Sequence, residues 1–162
     1  MEIVERFAVE VAAFEEWAEH GTDTGDLAVR NALRHLTRLY LAGLDLPDLD
    51  FELVQAEEDA RREQAVAEVN ARPPKFRLPI ECYSEVYDPH KVPPDEPGTG
   101  SLSDDLGDIF KDVVKGLRLY QAGWPASAVW DWRFLFWAHW GDHAASAIRA
   151  LHFWLSTYGG VR

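Results

Sequence analysis

The sequence predicts an all-α fold, a single domain of five or six helices packed around a buried, tryptophan-rich helix. Three observations support this prediction. Apolar residues recur at helical spacing in several segments. Six of the seven tryptophans lie between Trp124 and Tyr158, and the bulky side chains of that segment fall on two opposite sides of a helical wheel. Because such a helix needs neighbours on both sides, we expect the 125–157 helix to be central, with Gly141 as the position for a bend.

The wheel divides this helix into two apolar sides. The first side, predicted to be pure core, consists of Trp130, Phe134, Trp137, Ile148, Leu151 and Leu155. The second side consists of Trp132, Phe136, His139, His143, Ala150 and Trp154. A narrow polar strip between them consists of Asp131, Asp142 and Arg149. If the protein has a functional site, we expect it on the second side, because the histidines lie there.

Length and composition indicate one soluble domain over residues 1–162. The chain is long enough to bury a core, and 47% of its residues are hydrophobic. Its net charge of −12 argues against nucleic-acid binding, because phosphates would be repelled. No apolar run approaches the roughly 20 residues that span a bilayer. The lone cysteine, Cys82, and the lack of a signal-peptide pattern favour the cytoplasm. Any macromolecular partner is therefore expected to be another protein or a second copy.

The remaining elements follow from apolar spacing and from turn residues. Further helices are predicted over residues 3–20, about 26–42, about 59–71 and 101–122. Ser101 is a suitable N-cap for the last of these, with Asp104 three residues later. Residues 48–75 are otherwise uninformative, residues 80–87 are either a helical turn or a strand, and residues 88–100 form a proline-rich loop. The isolated histidines His20 and His35 are expected at the surface.

Two polar rows are predicted to face each other across the 101–122 and 125–157 helices. The row on the first helix consists of Asp105, Asp108 and Asp112, with Gly116 one turn later, where close approach of another helix is expected. His139 and His143 are separated by four residues, so they project from one side of the second helix. A short Gly-Trp-Pro connection makes the two helices antiparallel neighbours. We therefore expect His139 to lie opposite Asp108 or Asp105.

Several motifs, in this order along residues 36–152, resemble a known bacterial family. They are LYLAGL-x-LP from Leu39, Y-x-x-VYDP from Tyr83, SL-x-DDL-x-DIF-x-D-x-x-x-GL from Ser101, HWG-x-H from His139 and RALH from Arg149. Together they resemble the uncharacterised proteins called domain of unknown function 5063. Phe110 and Ile148 depart conservatively from the Tyr and Leu expected there. The resemblance implies a compact, mainly helical protein, and it implies no activity.

Two functional hypotheses follow from the polar rows. The first is a non-enzymatic interaction or structural protein, self-associating or bound to a protein partner, in which a buried Asp–His network fixes the packing. The second is a metal-dependent enzyme, hydrolase-like, in which His139 and His143 bind a divalent metal with Asp108 or Asp112, or with Asp105, and one carboxylate acts as base. The first is favoured because no complete catalytic signature is present. The His-x-x-x-His spacing alone is weak, since Trp140 occupies the position of the glutamate of zinc proteases.

Overall fold

The computed structural model describes residues 3–49 and 59–160, and it is mainly helical. Its elements are α1 (Ile3–His20), α2 (Gly25–Leu44), α3 (Asp59–Asn70), β1 (Cys82–Glu85), β2 (Gly98–Ser101), α4 (Leu102–Gln121), α5 (Pro125–Leu135), a π-helical turn (Phe136–Trp140) and α6 (Gly141–Thr157). The last three are contiguous and are called the long helix below. The predicted all-α class is confirmed. Residues 50–58, for which the sequence predicts no element, lie outside the described part of the chain.

One hydrophobic core runs through the described residues, and two helices dominate it. α4 packs against α1, α3, α5 and α6, and α6 also packs against α2. The long helix contributes two fully buried indoles, Trp132 and Trp140, to this core. The ring of Phe7 from α1 lies 4.8 Å from that of Trp132. None of the described helices is long and apolar enough to cross a lipid bilayer.

The prediction for the first side of the long helix is wrong in its N-terminal half. Phe134 and Trp137 are 53% and 66% exposed, and Trp130 is only half-buried. The wheel assumed a constant helical period, but the π turn inserts one residue into the helix. Since each α-helical residue advances by about 100°, one extra residue rotates everything after it by that amount. The side that contains Leu151 and Leu155 therefore does not continue through Trp137.

Asp131, a member of the predicted polar strip, does not reach solvent. Its side chain is buried, with a residue exposure of 2%. It forms an ion pair with Arg62 of α3, and Lys115 of α4 lies 3.3 Å from its second oxygen. Arg62 and Asp131 are 69 positions apart, so no local pattern could indicate this pairing. The cluster ties α3 and α5 to α4.

Trp132 fixes how α4 and α5 pack together. Its indole N–H donates a hydrogen bond of 2.8 Å to the carbonyl oxygen of Val113. The same ring lies directly over Gly116, where a β-carbon would overlap it. Gly116 therefore permits the close helix approach that the sequence predicts. This contact determines which residues of the two helices face each other.

The predicted helical hairpin is confirmed at both ends of α4. The Ser101 hydroxyl accepts a hydrogen bond from the Asp104 amide at 3.2 Å, as expected for an N-cap. Gly123 follows the C-terminus with φ of +88°, a conformation that favours glycine. The Trp124 amide then bonds back to the Leu119 carbonyl at 3.0 Å. Pro125 occupies the first turn of α5.

A two-stranded antiparallel hairpin precedes α4 and pairs Cys82 with Ser101. Residues 80–87, for which the sequence allowed either a helical turn or a strand, thus contain a strand. The prediction of a loop over residues 88–100 is wrong for residues 98–100, which belong to β2. Residues 98–100 are Gly-Thr-Gly, which have poor strand propensity. The rings of Tyr83 and Tyr87 cover Gly100 and Gly98, where side chains would collide with them. Tertiary packing therefore makes this strand.

His35 is not a surface residue as predicted. Its ring stacks on Trp17 at a centroid distance of 5.3 Å, and its Nδ1 is buried with no hydrogen-bond partner among the described residues. Burial, followed by the nearby Arg38 charge, lowers the pKa of this imidazole below its usual value. His35 therefore belongs to an aromatic cluster between α1 and α2, while His20 is exposed as expected.

Two glycines of α4 provide a matched test of the Trp132 contact. We expect Gly116→Ala to lower the free energy of unfolding by about 1–3 kcal/mol, because the new methyl group overlaps the Trp132 ring. Gly107→Ala in the same helix meets no neighbouring atom within 4 Å and should raise it by about 0.5–1 kcal/mol. Denaturant unfolding of both variants measures the difference, and equal values would contradict the packing described.

Candidate functional site

Two Asp–His pairs join α4 to the long helix. His139 Nδ1 lies 2.7 Å from Asp112 Oδ2, and His143 Nδ1 lies 2.8 Å from Asp105 Oδ1. His139 lies in the π turn and His143 lies in the first turn of α6. The two rings are 4.8 Å apart and nearly perpendicular. Each imidazole thus has its Nδ1 engaged by its own carboxylate.

Asp108 lies between the two pairs. Its Oδ2 is 4.0 Å from His143 Nε2, and its Oδ1 accepts a hydrogen bond of 2.7 Å from Lys111. One potential ligand atom from each of Asp108, His139 and His143 lies within 4.8 Å of the other two. All five side chains that the sequence singled out are therefore brought together, but His139 pairs with Asp112 and not with Asp108 or Asp105 as predicted. Their chemical role stays a prediction.

The π turn sets the direction of His139 relative to the core. Trp132 faces α4 and is fully buried, with a hydrogen bond to the Val113 carbonyl. His139 follows seven residues later, almost two full turns of a regular α-helix, so a constant period would point it in nearly the same direction. The extra residue of the π turn rotates it by about 100°, and His139 reaches Asp112 with its side chain 44% exposed. Such π turns are frequent at functional sites.

Tyr83 belongs to the cluster, and the residue pattern alone did not indicate it. Its hydroxyl donates a hydrogen bond of 2.7 Å to Asp105 Oδ2, from strand β1. Asp105 thereby uses one oxygen for His143 and the other for Tyr83. The only sequence signal was the Tyr83 position in a family motif, because the hairpin that carries this residue was not predicted.

Burial and charge act differently on the two central carboxyl groups. Burial raises the pKa of Asp105, and hydrogen bonds from His143 and Tyr83 only partly oppose this. For Asp108, burial also acts to raise the pKa. The hydrogen bond from Lys111 and the charge of this lysine outweigh burial, so the pKa of Asp108 is lowered. Burial and the bond to Asp105 raise the pKa of Tyr83 far above its usual value. Asp108 is therefore an ionised, accessible carboxylate at neutral pH.

The side chains of the cluster are more exposed to solvent than the sequence predicted. Asp105 is buried at 5% exposure, whereas the side chain of His139 is 44% exposed. The side chains of Asp108 and His143 are each about one third exposed. The predicted burial of the Asp–His network is therefore wrong for the two histidines, whereas it holds for Asp105. The side that carries Asp108 opens to solvent.

Comparison with known proteins shows the family. The profile described as domain of unknown function (DUF5063) matches residues 1–157, nearly the whole chain. This chain belongs to that family. The match extends the resemblance noted over residues 36–152 to include α1 and the start of α2. No curated protein matches the chain.

A solved structure shares the fold. The crystal structure of protein BF1032 from Bacteroides fragilis superposes with a TM-score of 0.65, at 19% sequence identity. The alignment covers 99% of this chain and 96% of that one. At this identity the likeness concerns the fold alone. The cluster around Asp108 must therefore be interpreted from its own geometry.

Tyr83→Phe tests the hydrogen bond that holds Asp105. We expect the pKa of Asp105 to rise further, because the phenol bond lowers it. We also expect the free energy of unfolding to fall by about 1–2 kcal/mol, since a buried carboxylate oxygen loses its donor. Carboxyl-carbon NMR titration and denaturant unfolding measure the two effects. Tyr87→Phe, an exposed tyrosine next to the same strand, is the control and should change neither.

Proposed function

We propose that this protein binds a divalent transition-metal ion through Asp108, His139 and His143, and that Asp105 and Asp112 orient the two imidazoles. The observation that supports this is the use of both Nδ1 atoms by carboxylates, at 2.8 and 2.7 Å. Metal-binding histidines typically donate their second ring N–H to a carboxylate, which fixes the tautomer and leaves the other nitrogen for the metal. The proposed role of Asp112 is thus orientation, not ligation.

The distances fit a site that needs a small side-chain rotation to close. Ligand atoms that each bind a metal at about 2.0–2.2 Å are roughly 3.3 Å apart in a tetrahedral site. The three candidates are now within 4.8 Å of one another, and Asp108 and His139 lie at the surface, where they can rotate. Lys111 occupies Asp108 Oδ1 while Oδ2 faces His143. The lysine can therefore remain bound when the other oxygen takes a metal.

The donor set indicates both the class of metal and the chemistry. Two imidazoles and one carboxylate suit zinc, iron or manganese better than calcium or magnesium. Three protein ligands leave at least one coordination position for water, as in catalytic rather than structural zinc sites. A metal ion lowers the pKa of such a water and makes it a nucleophile at neutral pH. We therefore favour metal-dependent hydrolysis, carried out in the cytoplasm, a location that fits the exposed free thiol of Cys82.

A second candidate is an interaction or structural protein whose Asp–His pairs only join helices. It is supported by the exposed aromatic surface of Phe134 and Trp137, since exposed apolar patches mark association sites. The cluster itself argues against this as its main role. Half-exposed ion pairs contribute only about 0–1 kcal/mol. A third carboxylate facing both imidazoles adds nothing that helix packing requires.

Calorimetric titration of chelator-treated protein with Zn²⁺, Mn²⁺ or Fe²⁺ tests the proposal. Wild type should bind about one equivalent of at least one of these ions. Asp108→Asn and His139→Ala should abolish stoichiometric binding, because each removes a ligand. Asp112→Asn should weaken binding by roughly 10–100-fold, because it frees an imidazole to rotate.

Matched controls use the same residue types outside the cluster. Asp104→Asn changes an exposed carboxylate of α4 outside the cluster, and His20→Ala removes an exposed imidazole of α1. Both should bind metal as wild type does. Absence of stoichiometric binding by wild type would overturn the metal proposal. The second candidate would then require His139→Ala to lower the metal-free stability by about 1–3 kcal/mol, through an unsatisfied Asp112.

A further inference from the structure

A cleft of about 970 Å³ lies between the hairpin, α2 and α6, and Tyr83 is one of the residues that line it. Its walls are mostly apolar and aromatic. They include Leu33 of α2, Ile148 and Trp154 of α6, and Tyr87 just after β1. A cleft of this size and character is large enough for several residues of an extended chain or for a small molecule. The wall that β1 forms decides between these two kinds of ligand.

All four residues of β1, Cys82–Glu85, line the cleft. Successive side chains of a strand point to opposite faces of a sheet. Residues of both faces can border one cleft only where the edge of the strand faces it. β2 occupies the opposite edge of β1, and no other described strand pairs with it. The third wall of the cleft is therefore an unpaired strand edge.

The register identifies the main-chain groups at this edge. The Leu102 amide bonds to the Glu81 carbonyl at 2.8 Å, and these two residues continue the Cys82↔Ser101 register by one step. In an antiparallel ladder, hydrogen-bonded and non-hydrogen-bonded pairs alternate. Tyr83 therefore bonds to β2, whereas Cys82 and Ser84 direct their N–H and C=O groups away from it. Two donors and two acceptors point into the cleft.

We propose that the cleft binds an extended peptide segment, which adds a third strand beside β1. A peptide main chain supplies the donors and acceptors that the Cys82 and Ser84 groups require, and its alternate side chains reach the apolar walls. A purely hydrocarbon ligand would cover the same polar groups and leave them unsatisfied, which is unfavourable. The strand edge spans about 13 Å, the length of four extended residues.

Charge defines the preferred peptide. The charged residues that line the cleft are Glu85, Asp142 and Arg149, and the whole chain carries −12. The surroundings are therefore net negative, so basic peptides are favoured over acidic ones. The peptide site uses none of the three proposed metal ligands. It stands or falls independently of the metal proposal.

Fluorescence anisotropy with a defined peptide on metal-free protein tests this inference. The probe is a labelled, capped hexapeptide in which valine and phenylalanine alternate with lysine, and it should bind saturably. Ser84→Pro removes one donor that faces the cleft without removing a bond to β2, a substitution that edge strands tolerate. It should weaken binding about tenfold. Thr99→Pro is the matched control, because Thr99 pairs with Ser84 and its amide points outward at the far edge of β2.

Two modified peptides test the same contact from the ligand side on the wild-type protein. A probe N-methylated at alternate positions loses its donors and should bind at least tenfold more weakly. Replacement of its lysines by glutamates should also weaken binding. Binding of Ser84→Pro at wild-type strength, an equal loss in folded Thr99→Pro, or undiminished binding of the N-methylated probe would each overturn the inference. So would binding of dodecanoate in the cleft without binding of the probe. If Ser84→Pro does not fold, the N-methylated probe decides.

Discussion

The contact between the Trp132 indole and α4 determines the register on which the rest of the site depends. The indole N–H is bonded to the Val113 carbonyl, and the ring occupies the space that Gly116 leaves. Because the connection between the helices is short and capped, this one contact fixes which turns face each other. With that register, the carboxylates further back along α4 lie opposite the residues that follow α5. Between α5 and the histidines the π turn changes the helical phase.

The π turn provides that change and reconciles two demands on one helix. Trp132 and Trp140 must be buried for the core to close. His139 must lie at the surface and still face Asp112. In a helix of constant period His139, seven residues after Trp132, would lie on the same buried side, and the inserted residue rotates it away from that side. The same insertion exposes Trp137 on the far side, so burial of the indoles, accessibility of the imidazole and the external aromatic surface have one geometric cause.

The sequence predicted what depends on local pattern. Helical spacing, the N-cap at Ser101 and the glycine after α4 gave the helices and the antiparallel hairpin, and hence the meeting of the aspartates with the histidines. It could not give features that depend on tertiary structure. Because the helical wheel assumed a constant period, it did not show the π turn and placed Trp137 in the core. The strand that carries Tyr83 pairs with a Gly-Thr-Gly segment of poor strand propensity. Spacing alone also could not separate the proposed ligand, Asp108, from the proposed orienting carboxylate, Asp112.

The proposed function requires that two oriented imidazoles and one carboxylate form a single metal site. A crystal structure of the zinc-loaded protein, with anomalous diffraction recorded across the zinc edge, tests it most directly. We expect one peak about 2.0–2.2 Å from a carboxylate oxygen of Asp108 and from one ring nitrogen each of His139 and His143. Asp112 and Asp105 should still hold the two Nδ1 atoms. A peak ligated by those Nδ1 atoms, or zinc bound only elsewhere, would contradict it.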